Sequence, residues 1–94
     1  MPYLIVRHKV KDYAKWKPAF DEHGATRKAN GSKGGRLFRS AADPKELVVL
    51  FEWDDLGKAQ QFAQSADLRE SMERAGVADQ PDLYFLEEIE SFSV

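Results

Sequence analysis

The chain contains no cysteine. That absence excludes disulfides, thiolate nucleophiles and cysteine-ligated zinc or iron–sulfur sites. The sequence also lacks any apolar run near the roughly 20 residues that a membrane-spanning helix requires. Met1 and Pro2 lead directly into a strand pattern rather than into a signal peptide. We therefore expect a cytoplasmic protein that does not bind a membrane.

A strong net charge is absent as well, since the formal value is −2. This predicts no general attraction to nucleic acid. The charges are uneven: residues 1–45 hold 11 Lys and Arg against 4 Asp and Glu, and residues 46–94 hold 3 against 12. A basic first half could form an anion or nucleic-acid patch, but mutual neutralisation of the two halves in the folded chain is the favoured interpretation.

The length of 94 residues indicates a single domain that spans residues 1–94. A domain this short leaves much of its surface exposed unless a partner covers part of it. Hydrophobic residues make up 43% of the chain and charged residues 32%, which is typical of a globular protein rather than a disordered one.

The segment 3–20 joins a strand to a helix. Residues 3–10 alternate, and one row holds His8 among aliphatic side chains, which predicts a strand with that row in the core. Asp12 is a good N-cap for the helix that follows. Tyr13, Trp16 and Phe20 have helical spacing, and the helix is expected to bend at Pro18 and to end near residues 30–31.

The rest of the chain supplies three strands and a second helical region. Strands are predicted over residues 36–41, 46–53 and 82–89. The helical region is expected to begin after Asp54 or Asp55, and to restart at Asp67, where Glu70 completes a capping box. It should end at Gly76. The order is strand, helix, strand, strand, helix, strand.

This order predicts an α+β fold, the ferredoxin-like βαββαβ arrangement with a four-stranded antiparallel sheet. Right-handed crossovers place both helical regions on one side of the sheet. The uncovered side then holds a set of apolar side chains, Tyr3, Ile5, Val48, Leu50, Tyr84 and Leu86. Such a patch is expected to be buried against a second copy, which predicts a homodimer. Phe92 and Val94 in the tail could reach the partner.

Five parts of the sequence resemble one family: His8-Lys9-Val10, Asp12-Tyr13, Trp16, Leu50-Phe51-Glu52-Trp53 before Asp54, and Tyr84-Phe85-Leu86-Glu87. Together they are similar to the antibiotic biosynthesis monooxygenase-like family of the dimeric α+β barrel superfamily. The resemblance covers essentially the whole chain. It implies the dimeric barrel fold and several activities: cofactor-free monooxygenases, polyketide cyclases, haem-degrading enzymes and members without assigned chemistry. Fold alone does not select among these activities.

In this architecture a cavity can lie between the helices and the sheet. His8 is the candidate catalytic acid or base, because burial and one hydrogen bond can tune a histidine near neutral pH. The alternative is a core histidine satisfied by a neighbour. The candidate substrate-binding residues are aromatic or polar side chains expected near that cavity: Trp16, Phe20, His23, Arg39, Phe62 and Tyr84. The aromatic members could instead serve only packing.

Several other groups receive a structural interpretation. His23 is expected to be solvated near the exposed end of a polar helix, and no spacing motif supports a metal site of His8, His23 and Asp12. Arg36 or Arg39 could hold a phenolate or carboxylate. The glycines of residues 32–35 lack the spacing of a phosphate-binding loop. The acidic residues Glu87, Glu88 and Glu90 are expected to pair with Arg7 and Lys9 across the strands.

Three functions remain open at this point. The first is a cofactor-free oxygenase or cyclase that acts on a small aromatic or polyketide-like molecule, with His8 moving a proton. The second is a haem-degrading relative, for which the only asparagine is Asn30, in a predicted loop. The third is a non-catalytic dimeric module that binds a small hydrophobic molecule. A solvent-connected space beside His8 would favour an enzyme, and a filled core would favour the module.

Overall fold

The computed structural model describes residues 2–78 and 80–94. Its elements follow the chain in this order: β1 Pro2–Lys9, α1 Tyr13–Glu22, α2 Gly24–Ala29, β2 Ser32–Arg39, β3 Glu46–Trp53, α3 Leu56–Ala63, α4 Ala66–Ala75 and β4 Asp82–Glu87. The strands form one antiparallel sheet in the order β2-β3-β1-β4. The predicted ferredoxin-like α+β fold is confirmed.

Alternation along the two central strands separates the core from the opposite side of the sheet. In β1 the row Leu4, Val6 and His8 is buried, and its neighbours in sequence are not. In β3 the buried row is Leu47, Val49, Phe51 and Trp53. Trp53 and Leu4 are completely enclosed beneath the helices. Burying an apolar side chain of this size stabilises the fold by roughly 1.5–3 kcal/mol.

Side chains that accept backbone N–H groups start three of the helices. Asp12 accepts from Ala14 and Asp55 from Gly57, as the sequence predicts. The restart of the second helical region was assigned to the wrong residue: Ser65, not Asp67, is its N-cap and accepts from the Leu68 amide. Asp67 lies in the first turn of α4, where a carboxylate favours the positive end of the helix dipole.

The first helical region is divided, but not at its proline. Pro18 lies inside α1, which continues to Glu22, and the separate helix α2 begins at Gly24. His23 joins the two helices. The interruption therefore comes five residues after the position at which the sequence predicts a bend. This junction directs the His23 ring toward the core.

The outer strands differ from their predicted limits. β2 covers Ser32–Arg39 rather than residues 36–41, because the chain already pairs with β3 at Ser32 and continues after a register shift between Ser32 and Gly34. β4 ends at Glu87 rather than at residue 89. Glu87 lies opposite Pro2, the first residue of β1, so the chain beyond it has passed the end of its neighbouring strand.

The predicted pairing of the C-terminal glutamates with Arg7 and Lys9 is wrong. β4 runs antiparallel to β1, so its first residue, Asp82, lies opposite Arg7. Arg7 contacts the Asp82 carboxylate at 2.7 Å and Glu46 at 2.8 Å. Lys9 contacts Asp43 at 3.3 Å. Both charge signs are evident in the sequence, but only the strand register determines which residues meet.

The side of the sheet opposite the helices carries apolar side chains that are only partly covered. Tyr3, Ile5, Val48 and Leu50 are half-buried in the central strands. Three larger side chains are more exposed: Phe38 at 48%, Tyr84 at 54% and Leu86 at 40%. We call this set the open face. The tail residues Phe92 and Val94 are exposed as well.

No helix within residues 2–78 and 80–94 is long and apolar enough to cross a membrane. The longest of them, α1 and α4, have 10 residues each. A membrane-spanning helix needs about twice that length. The cytoplasmic location expected from the sequence stays a prediction.

Candidate ligand-binding site

A cavity lies between the helices and the covered side of the sheet. β1 and β3 provide its floor through Val6, His8, Val49 and Phe51. The helices provide its walls through Trp16, Ala19, Phe20, His23, Arg27, Phe62, Leu68, Ser71, Met72 and Ala75. The cavity is narrow: the volume open to the centre of a water molecule is only about 40 Å³. It is lined mainly by apolar atoms with a few polar groups, as small-molecule sites commonly are.

Aromatic rings form one wall. Trp16 and Phe20 stack one turn apart on α1, with ring centroids 4.7 Å apart and planes 20° apart. Phe20 also approaches Phe51 on the sheet, at 6.2 Å. These separations lie in the range of favourable aromatic contacts. The α1 side of the cavity is therefore lined by rings that pack on one another.

His8 supplies a polar group on the floor of the cavity. It is only 3% exposed, because β1 alternation directs it to the covered side opposite Leu47. Its ring meets Trp16 edge-on, with centroids 5.6 Å apart. A buried imidazole beside an apolar space meets the positional requirement for a general acid or base. The same placement suits a core histidine, so the geometry leaves both interpretations in place.

The expected solvation of His23 is wrong. Its side chain is 10% exposed, and Nε2 lies 2.7 Å from Oδ2 of Asp67 on α4. The ring also packs near Phe62, with centroids 5.8 Å apart. An outer groove shares Ala19, His23 and Ser71 with the cavity. The His23–Asp67 pair therefore joins α1 to α4 at a mouth of the cavity.

Arg27 is a cavity residue that the sequence interpretation missed. Its guanidinium carbon lies 3.9 Å from the Phe20 ring centroid, and Nη1 donates to the Phe20 carbonyl at 2.8 Å. Burial lowers the pKa of the Arg27 guanidinium. The spacing of Phe20, His23 and Arg27, at i, i+3 and i+7, is the sequence signal that could have placed all three on one helical face.

Two of the candidate substrate-binding residues lie elsewhere. Arg39 is exposed, and its guanidinium carbon lies 4.9 Å from the ring centroid of Tyr13. Tyr84 belongs to the open face. The structure brings His8, Trp16, Phe20, His23 and Phe62 to one cavity and leaves Arg39 and Tyr84 outside its lining. Ser71 and Met72 on α4 join that lining without having been named as candidates.

Neither a metal-ligand group nor the asparagine of a haem site is found in the described cavity. Among residues 2–78 and 80–94, no group of three His, Asp or Glu side chains is placed to hold a metal ion. Asn30 caps the end of α2, where its amide donates to the Thr26 carbonyl. It is not part of the cavity lining. The asparagine that haem-degrading relatives would require is therefore not in the described cavity.

Solved structures share this fold. SnoaB from Streptomyces nogalater, a cofactor-independent oxygenase, has a TM-score of 0.76 at 13% identity, with 96% of this chain and 94% of that chain covered. A Bordetella bronchiseptica protein, provisionally described as an antibiotic biosynthesis monooxygenase, has a TM-score of 0.76 at 20% identity over 95% and 97% of the two chains. A similarly described Caulobacter crescentus protein gives 0.74 at 19% identity over 95% and 90%.

The sequence comparisons add no closer relationship: no family model and no curated protein matches this chain. The resemblance to antibiotic biosynthesis monooxygenase-like proteins is therefore confirmed at the level of the fold. At identities of 13–20%, the structures do not transfer an activity or a residue role.

Proposed function

We propose that this protein binds a small planar aromatic or polyketide-like molecule and acts on it as a cofactor-independent oxygenase. The observation that carries this proposal is the burial of His8 on the floor of an aromatic cavity. The rings of Trp16 and Phe20 would border the substrate, and His8 would face its acidic C–H or O–H group. The neighbours with the same fold include a cofactor-independent oxygenase, which supports this choice of chemistry.

The reaction needs only the substrate, dioxygen and one base. His8 takes a proton from a CH₂ group activated by a neighbouring ketone, and the carbanion transfers one electron to O₂. The resulting carbon radical and superoxide combine to a peroxide, which takes up the proton and loses water. The sum is R₂CH₂ + O₂ → R₂C=O + H₂O. The same carbanion could instead close a carbon–carbon bond, which is the cyclase version of the proposal.

We test the role of His8 with anthrone, an enolisable aromatic ketone, and an oxygen electrode. Wild-type protein should consume O₂ faster than the buffer does. His8→Gln, which keeps polarity but weakens proton transfer, should lower the rate by about 100-fold or more. Gln60→Ala, an exposed change on α3 outside the cavity lining, is the control and should stay near the wild-type rate. Unchanged O₂ consumption by His8→Gln would eliminate the proton-transfer role.

The open face supports a homodimer as the working state. Ile5, Leu50 and Tyr84 lie side by side across the central strands, since Ile5 pairs with Leu50 on one side and Tyr84 on the other. A continuous apolar patch of this kind is costly to leave in water. Docking of two such faces would close the barrel, and the exposed tail residues Phe92 and Val94 would then have a second subunit to contact.

A non-catalytic binding module is the second candidate function. Its support is the tight packing of Trp16 against Phe20, which leaves the cavity narrow. A module of this type would bind an inert planar probe such as 2-naphthamide without accelerating O₂ consumption by anthrone. Thermal-shift titration with 2-naphthamide, followed by the oxygen assay, separates this candidate from the oxygenase.

A further inference from the structure

A second groove leads into the cavity from the edge of the sheet. It lies between α1, α2 and β2, and it shares Phe20, Arg27, Val49 and Phe51 with the cavity. The groove is wider than the cavity, with about 260 Å³ open to the centre of a water molecule. The groove and the cavity are therefore adjoining parts of one larger site, and Arg27 lies at their junction.

The groove is basic. Its lining includes the cations Lys17 and Arg27 and no acidic residue. Arg36 also borders it, but Arg36 pairs with Leu50 and its side chain belongs to the open face beside Tyr3. Gly34 and Gly35 of β2 also line it, and their missing side chains leave the sheet edge uncovered at this point. The cavity, in contrast, is mainly apolar. A molecule that spans both would place its apolar part beneath the helices and a polar or anionic part near these cations.

Arg27 differs from neighbouring cations in its partners. Lys17 contacts Asp21 at 2.5 Å, and Lys33 contacts Asp54 at 3.1 Å. Within residues 2–78 and 80–94, no carboxylate lies within the 4.0 Å ion-pair distance of Arg27. Its acceptor is the Phe20 carbonyl, which occupies one of five N–H donors. Asp21 attracts the guanidinium only from beyond that ion-pair distance. A half-buried guanidinium without a carboxylate in contact is costly, and an arriving anion would reduce that cost.

The orientation of Arg27 leaves room for such an anion. The guanidinium carbon lies 3.9 Å from the Phe20 ring centroid and 5.7 Å from that of Phe51, so aromatic rings flank the group. Stacking on a ring uses a face of the guanidinium and leaves the N–H groups at its edge available. A planar carboxylate can accept two of these N–H groups in parallel.

We propose that Arg27 anchors the anionic group of the ligand and makes the site selective for planar aromatic acids over their neutral analogues. The inference rests on the ligand cavity of the proposed function and adds the charge of the molecule that occupies it. The aromatic part lies beside Phe20 and Phe51, and the carboxylate or phenolate oxygen lies at Arg27. Lys17, the other cation of the groove, is already paired with Asp21.

The experiment compares two probes of nearly equal shape, 2-naphthoate and 2-naphthamide, by isothermal titration at low and high salt. Wild-type protein should bind 2-naphthoate at least about 10-fold more tightly at low salt, because one charge-assisted bidentate contact is gained. Arg27→Gln should bring the ratio of the two dissociation constants close to one and leave the affinity for 2-naphthamide nearly unchanged. Arg27→Lys should keep part of the preference.

Lys28→Gln is the matched control, since it removes the same charge from the next residue, which is exposed and lines neither the cavity nor the groove. It should keep the wild-type preference. A wild-type ratio near one, or a ratio that Arg27→Gln leaves intact, overturns the anchor. Should Arg27→Gln unfold, the wild-type ratio and Arg27→Lys decide. Binding without preference defeats only this inference, whereas no binding of either probe also defeats the proposed ligand site.

Discussion

The two sides of the sheet are built from the same strands and differ in almost every property. On the covered side, Leu4, Val6 and Val49 are nearly inaccessible, and His8 is the buried polar side chain among the described residues. On the open face, Tyr84 is more than half exposed. Alternation alone produces this division, because successive residues of a strand point to opposite faces. In our proposal the ligand occupies the covered side and a second subunit covers the open face.

The electrostatics of the two sides differ in the same way. The open face has charged groups at both ends of its apolar centre: Arg7 with Asp82 and Glu46 at one end, and Tyr3 with Glu88 at the other. The charge of Glu88 raises the pKa of the Tyr3 hydroxyl. An apolar centre with a polar rim is the usual anatomy of a protein–protein interface. On the covered side, the polar groups His8, His23 and Arg27 converge on the cavity.

The largest expected effect comes from a cavity made on the covered side. Leu4→Ala should lower the free energy of unfolding by about 2–5 kcal/mol, because a fully enclosed side chain is removed. Ile5→Ala, one residue away and directed to the open face, is the matched control. At low protein concentration, Ile5→Ala should lower the free energy of unfolding clearly less than Leu4→Ala does. Urea unfolding of both variants measures the difference, and equal losses would contradict the assignment of the two sides.

A charge on the open face should weaken association rather than folding of the single chain. Leu86→Glu places an unpaired carboxylate in the proposed interface, and it should weaken dimerisation by about 1–3 kcal/mol. Gln60→Glu, on an exposed position of α3, is the control and should leave association unchanged. Sedimentation velocity over a range of concentrations measures both. A monomeric wild-type protein, or a dimer indifferent to Leu86→Glu, would contradict the interface.

The link between α1 and α4 should have a smaller effect. Asp67→Asn removes the anionic partner of His23, and it should lower the free energy of unfolding by up to about 1 kcal/mol, since Asp67 is half exposed. Glu70→Gln, an exposed change on the same helix, is the control. Thermal unfolding of the two variants gives the comparison. A loss that is the same in both would show that the His23 contact contributes nothing specific.

The smallest effect is expected far from the cavity, in the turn before β3. The Lys45 amide, donating to Asp43, and the nearby Lys9 hold the pKa of Asp43 below its ordinary value of 3.8. This contribution to stability is present above pH 3.8 and is lost as the pH falls through the lower, folded-state pKa. Asp43→Asn should therefore be less stable than wild type at pH 7, with a difference that shrinks in acid. Urea unfolding of both proteins at pH 7 and in acid tests this prediction. The same difference in unfolding free energy under both conditions would contradict it.

Features that depend on local periodicity were predicted correctly from the sequence. Alternation placed His8 in the core row of β1, and helical spacing placed Trp16 and Phe20 toward it, so the centre of the cavity could be anticipated. Helical spacing also put His23 on the side of Phe20, but its contact with Asp67, 44 residues away on another helix, could not be anticipated. Arg27 was missed because its segment is polar, although its spacing from Phe20 indicated the same helical face.

The pairing register of the strands was the second feature that could not be predicted from the sequence. The glutamates after β4 have the right charge for Arg7, but the antiparallel pairing brings Asp82 to that position. Arg39 was grouped with the cavity residues by chemistry, but it lies outside the cavity lining. Tyr84 was named both for the ligand site and for the uncovered side, and it lies on the open face. A strand shifted by one residue reverses the side to which each side chain points. Residue types alone cannot supply that information.

Chemical-shift mapping with 2-naphthamide tests the division of the two sides most directly. The account predicts that the ring signals of His8, Trp16 and Phe62 shift on titration, while those of Tyr84 and Phe38 on the open face stay in place. Shifts confined to Tyr84 and Phe38, or no shift of the His8 and Trp16 rings at saturating probe, would contradict it.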